Sequence, residues 1–160
     1  MEQQEFFMQE TIKEARKGVE QGSGGPFGSV IVKDGKIVGR SSNKVFETND
    51  PTAHAEVMAI RDAAKNLETA ELVGCEIYSL GEPCPMCLAA IYWARIEKVY
   101  FANTKEEAAR VGFDDTMIYR ELAMPFQQRS LSMQHTPFED AKKLFSDWDK
   151  NVDKTDLPQT

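Results

Sequence analysis

The segment Pro83-Cys84-Pro85-Met86-Cys87 constrains this chain more than any other. It follows Cys75 to Leu80, an apolar run that reads as a strand, and the turn Gly81-Glu82-Pro83. Pro85 suits the first position of a helix, where the missing N–H costs nothing. A helix is therefore predicted from about Pro85 to Arg95. Two cysteines spaced Cys-x-x-Cys across a helix start turn their sulfurs toward one point. The free N–H groups and the positive end of the helix dipole favour the thiolate form there.

A second segment, His54-Ala55-Glu56, opens another predicted helix, from about His54 to Leu67. His54 adds a nitrogen donor to Cys84 and Cys87, which makes three metal ligands. Structural zinc sites are closed by four protein ligands, whereas catalytic ones keep a position open for water. The spare donors are Cys75, which begins an apolar strand, and His135, in a polar stretch far along the chain. A closed structural zinc in a non-catalytic binding domain, or a redox Cys-x-x-Cys pair, are the competing readings; neither accounts for Glu56. Two residues from His54, Glu56 points elsewhere on an ideal helix and is placed to reach water beside the metal. Its plainer role is a first-turn acid that favours the helix dipole. A catalytic zinc lowers the pKa of its bound water to about 7, and Glu56 then carries the proton to the substrate as a general acid–base. H-x-E followed by P-C-x-x-C is the signature of zinc nucleobase deaminases, which replace a ring amino group with oxygen and release ammonia.

The rest of the chain predicts what surrounds these motifs. A helix is expected over about Glu5–Gln21, with Phe6, Phe7, Ile12, Ala15 and Val19 at helical spacing. Phe27–Lys33 and Lys36–Arg40 flank Asp34-Gly35, a strong hairpin signal. Residues 41–53 read as a loop, 98–102 as a strand, 105–110 and 115–123 as short helices, 129–134 as weakly strand-like, and 137–148 as a last helix. Helices alternating with strands give an α/β fold, a sheet between helix layers, with the hairpin making the sheet mixed. The chain of 160 residues suits one domain. Its 19 basic against 26 acidic residues, a net charge of −7, argue against a nucleic-acid partner. No signal segment and no apolar run of about 20 residues stand out, so a cytoplasmic location and no membrane contact are expected. The three cysteines then form no disulfide framework.

Further stretches carry a family resemblance: Gly24-Gly25-Pro26-Phe27-Gly28, Asn49 to Glu56, Glu82 to Cys87 continuing through Ile91-Tyr92-Trp93-Ala94-Arg95, and Gly112-Phe113-Asp114-Asp115 with Ile118-Tyr119. On these the chain resembles the bacterial guanine deaminases of the cytidine deaminase-like superfamily. The resemblance implies a three-layer α/β/α sandwich with a five-stranded mixed sheet and one zinc ion (Zn2+) per subunit. It implies a single deaminase domain over 1–153 and a polar tail over 154–160. It also implies a homodimer in which the segment from about 125 to 153 is exchanged between protomers. The implied reaction converts guanine, a small-molecule nucleobase, to xanthine and ammonia. Asn43, Phe27, His54, Ala55 and Trp93 are implied as substrate-binding, and Asp115 as a second acid beside the leaving amine. The chain departs from the pattern at Gly81, where relatives often carry cysteine, and in its last residues, where relatives place a tyrosine over the pocket. That departure motivates deamination of another amino heterocycle (guanosine, cytosine, an aminotriazine or a pterin) as the alternative. Adenosine editing in tRNA shares the zinc motifs but needs a basic face.

Overall fold

The computed structural model describes residues 2–153, so the polar tail 154–160 lies outside the described residues. The chain divides into two compact units, Met1–Thr116 and Met117–Thr160. The first contains α1 (Glu2–Glu20), β1 (Gly28–Lys33), β2 (Lys36–Ser42), the one-turn helix α2 (Val45–Thr48) and α3 (Ala55–Leu67). It continues with β3 (Cys75–Gly81), α4 (Pro85–Trp93), β4 (Lys98–Asn103) and α5 (Lys105–Arg110).

The hairpin forms where Asp34-Gly35 predicts it. Both residues take positive φ, 49° and 72°, as the tight turn that matches strand twist requires. The strand order is β2-β1-β3-β4, with β1 antiparallel to β2 and β3, and β3 parallel to β4. The register slips between Ile31 and Val32, which face Gly39 and Ile37, so β2 bulges at Val38.

The two faces of the sheet are both covered. On one, Phe7 of α1 packs with Val30, Val32 and Tyr78. The buried stripe of α1 is Phe7, Thr11, Ala15 and Gly18; Phe6 and Val19, expected on it, are exposed. On the other face, Ala59 and Ala63 of α3 and Ile91 of α4 pack with Ile31, Ile77, Cys75 and Leu72. The fit of α3 to β2 is close: a Cβ at Gly39 would lie 2.5 Å from the Ala63 nitrogen and 2.6 Å from the Ala59 oxygen. Only a residue without a side chain seats the helix at that depth. Cys75 is a buried strand residue in this core.

The second unit contains α7 (Glu139–Asn151) and a short 3-10 turn (Phe126–Gln128), preceded by α6 (Thr116–Ala123), which starts at the boundary. No residue from 117 to 153 is buried. Two expectations are corrected. The sheet has four strands among the described residues, not five, and residues 129–134 form no strand. The alternation Ser130-Leu131-Ser132-Met133 looks strand-like, but these residues bond locally instead. The Arg129 guanidinium donates to the Glu121 and Met124 carbonyls at 2.9 and 3.1 Å, near the end of α6. The Ser130 N–H donates to the Glu121 carboxylate at 2.7 Å. Satisfying the open carbonyls of a helix end takes the place of a strand ladder. No helix among the described residues is long and apolar enough to cross a membrane.

Candidate active site

Two helix starts meet beside the carboxyl end of β3. His54 is the residue that caps α3, and Cys84 the one that caps α4; both have extended backbone. Neither spends its side chain on a capping bond, which leaves the imidazole and the thiol for other work. Cys87 lies in the first turn of α4, fully buried. His54 Nδ1 lies 3.5 Å from Cys84 Sγ and 3.4 Å from Cys87 Sγ. The three donor atoms are all within 4.8 Å of one another and form a set able to hold a metal ion.

The donor set fits zinc. Zinc bonds sulfur at about 2.3 Å and imidazole nitrogen at about 2.0 Å, and a tetrahedron of those lengths has N···S edges of about 3.5 Å. The observed pair of N···S distances matches that edge. Among the described residues no fourth His, Cys, Asp or Glu joins the set. Cys75, the spare sulfur of the sequence, is instead part of the apolar core.

The protonation states also suit a cation. The Cys84 thiol is lowered to about 4, chiefly because Cys87 donates its S–H to it, with His54 adding to the effect. Cys87 is pushed up by that same bond and by burial. Of the two, Cys84 is the one that favours the thiolate form. The bond to Cys84 raises His54. A metal bound here would displace these protons, since thiolate and neutral imidazole are the ligating forms.

Glu56, in the first turn of α3, is buried, with 6% of its surface exposed. Its carboxylate accepts from Cys87 Sγ at 3.5 Å. Burial raises its pKa, so the carboxyl group holds a proton more readily than a free glutamate does. A plain dipole partner at a helix start would be solvated; this one is not.

The remaining expected residues fall into two groups. Burial, and then the negative charge on Cys84, raise the pKa of Asp115. Its neighbour Asp114 accepts from the Thr116 N–H, at the start of α6, at 2.9 Å. Ala55 is fully buried at the first position of α3. Asn43 is buried just beyond β2; its N–H donates to the Phe27 carbonyl at 2.9 Å and its Oδ1 accepts from the Val45 N–H at 3.1 Å. It is thus a turn residue that also holds Phe27. Trp93 stands apart. It is the last residue of α4, 69% exposed, and six residues beyond Cys87, about 9 Å along the helix axis.

Sequence reasoning assigned no role to Phe113 or Gly81. The rings of Phe27 and Phe113 meet edge-to-face, with centroids 4.9 Å apart at 88°, and Gly81 makes room for the Phe27 ring. The sequence hints were Gly25 and Gly81, two residues without side chains beside Phe27 and Phe113.

Comparison with known proteins agrees with this geometry. The cytidine and deoxycytidylate deaminase zinc-binding region matches residues 1–103, and the chain belongs to that family. A guanine deaminase of Bacillus subtilis (strain 168) is 46% identical over 144 residues, which cover 90% of this chain and 92% of that one. An X-ray structure of guanine deaminase from Bacillus subtilis superposes with a TM-score of 0.91 at 43% identity, covering 97% of this chain and 98% of that chain. A tRNA-specific adenosine deaminase of Aquifex aeolicus (strain VF5) is 36% identical, covering 92% of this chain and 95% of its own.

The burial of Glu56 has a consequence for stability. A carboxyl whose pKa is raised on folding favours the folded state fully below its unfolded value, about 4.3, and that contribution fades as pH rises through the raised value. Gln at position 56 has the shape of the neutral acid and does not titrate. Metal-free Glu56→Gln protein is expected to melt above metal-free wild type at pH 8. The gap is expected to shrink toward pH 5. Melting curves at the two pH values check this; a gap independent of pH would contradict it.

Proposed function

We propose that the protein is a zinc-dependent aminohydrolase that converts guanine and water to xanthine and ammonia. The observation that carries this reading is the three-donor set with a buried acid, Glu56, in contact with it, in a chain similar over nine-tenths of its length to a guanine deaminase. His54, Cys84 and Cys87 hold the metal, one zinc per subunit. Zinc, when bound, supplies the Lewis acidity that makes water a nucleophile near neutral pH.

The chain's own residues do the rest. Glu56 accepts the proton from the attacking water and returns it to the substrate, as its buried, readily protonated carboxyl allows. The bond broken is that between the ring carbon and its exocyclic amine, which departs as ammonia. Asp115 serves the leaving amine as a second acid. Asn43 orients the purine through hydrogen bonds, Phe27, His54 and Ala55 line its pocket, and Trp93 forms a wall. The net charge of −7 favours a free base over an RNA.

The chain also works as a homodimer in the cytoplasm, with the segment from about 125 to 153 exchanged between copies. Supporting this, the second unit has no buried residue to 153, yet it carries Leu131, Phe145 and Trp148 at 71%, 80% and 57% exposure. A unit this short rarely stands without such cover. Light scattering of the full chain at micromolar concentration is expected to give twice the chain mass; a single-chain mass would contradict the exchange.

The reaction is tested by ammonia release from guanine, guanosine, cytosine, adenine and ammeline, using zinc-loaded protein. Guanine is expected to be turned over best. Glu56→Ala is expected to lose at least about a thousandfold in kcat while retaining one zinc per chain by metal analysis. Preference for another ring would overturn the substrate, and full activity of Glu56→Ala would overturn the role of Glu56.

A further inference from the structure

We propose that Phe113 is a positioning residue of the site: its ring, held on Phe27 in room left by two glycines, fixes the segment that carries Asp115. This rests on the reading of Asp115 as an acid of the deaminase site.

The segment from Asn103 to Thr116 is tied down at both ends. At its start, the Glu82 N–H donates to the Asn103 carbonyl at 2.8 Å, and the Glu82 carboxylate accepts from the Lys105 N–H at 3.0 Å. Glu82 stands two residues before Cys84, so α5 begins fastened to the loop that bears a metal ligand. Thr104 and Glu107 cap α5 reciprocally, which defines the helix start and hence its direction.

At the other end, α5 stops at Gly112, with φ 99°. The Phe113 N–H returns to the Ala108 carbonyl at 3.0 Å, and the Gly112 N–H to the Ala109 carbonyl at 3.1 Å. These two bonds are the Schellman ending of a helix, in which the residue after the glycine usually packs back on its own helix. Here the Phe113 ring meets Phe27 instead, edge-to-face. The sequence has made space for this. A Cβ at Gly25 would lie 2.9 Å from Phe113 Cζ, and a Cβ at Gly81 would lie 3.1 Å from Phe27 Cε1. Phe27 is itself fixed, since its carbonyl accepts from the Asn43 N–H and its N–H donates to the Gly25 carbonyl at 2.8 Å.

Asp115 follows two residues later. Asp114 accepts from the Thr116 N–H, while Asp115 is within electrostatic reach of Cys84, whose negative charge adds to burial in raising its pKa. The ring pair does not serve the core. Phe113 is 41% exposed and belongs to neither buried cluster. Its contact joins the Asp115 segment to the Phe27–Asn43 side of the site, and that is what a positioning contact has to do. Displacing a catalytic group by about 1 Å costs as much as a hundredfold in rate.

The test is a double-mutant cycle of Phe113→Leu and Asp115→Asn, read as kcat and KM for whichever ring the wild type deaminates best. Phe113→Leu is expected to lower kcat about tenfold, and Phe113→Tyr, which keeps the ring, to stay within about twofold of wild type. The double variant is expected to be no slower than Asp115→Asn alone, because Phe113 acts through Asp115. Losses that multiply, or a Phe113→Leu enzyme as fast as wild type, would overturn the proposal. Amide hydrogen exchange keeps the test independent of the deaminase reading, because it needs no turnover. Phe113→Leu is expected to speed exchange over residues 111–116 and leave α3 and α4 unchanged; unaltered exchange there would overturn the proposal, whatever the substrate.

Discussion

The site depends on the meeting of two helix starts at the end of one strand. A helix start supplies unpaired N–H groups and partial positive charge. Placing His54 and Cys84 at such positions, with Cys87 one turn in, gathers three soft or borderline donors where anionic sulfur is favoured. The capping positions also impose extended backbone on His54 and Cys84, so their side chains leave the helices at a fixed angle. The sheet then has one task toward the site, which is to hold α3 and α4 at the right separation. It does so with small residues, Gly39 against Ala59 and Ala63, because small contacts allow close approach and little slack.

Function is set against stability in that cluster. Glu56 is a carboxyl with almost no water, and of Cys84 and Cys87 the first favours the thiolate form. A bound cation would favour the charged forms of Glu56 and of both sulfurs. The same burial gives Glu56 a carboxyl able to hold and release a proton, which a solvated glutamate at neutral pH does poorly.

Much of this was legible in the sequence because it is local. Cys84, Cys87, His54 and Glu56 announce themselves by spacing at predicted helix starts, and the structure brings them together as that spacing implies. The hairpin was legible for the same reason, since Asp34-Gly35 dictates its own turn. What stayed hidden is non-local or rests on competition. Residues 129–134 read as weakly strand-like, but Arg129 and Ser130 bond to α6 instead. The turn α2 is only one turn long, and the Asn43 side chain, not any helical periodicity, starts it. The Phe27–Phe113 pair links residues far apart in the chain, and sequence shows only the glycines that make room for it. Trp93 is the last residue of α4, and its exposure gives no sign of a pocket within the single chain.

Three protein donors with one open position distinguish a catalytic zinc site from a structural one. X-ray absorption at the zinc edge of the purified protein measures this directly. Two sulfurs at about 2.3 Å and two nitrogen or oxygen neighbours at about 2.0 Å are expected, one from His54 and one exchangeable. A third sulfur, which only Cys75 is left to supply within the chain, would make the site closed and structural, and would contradict the catalytic reading.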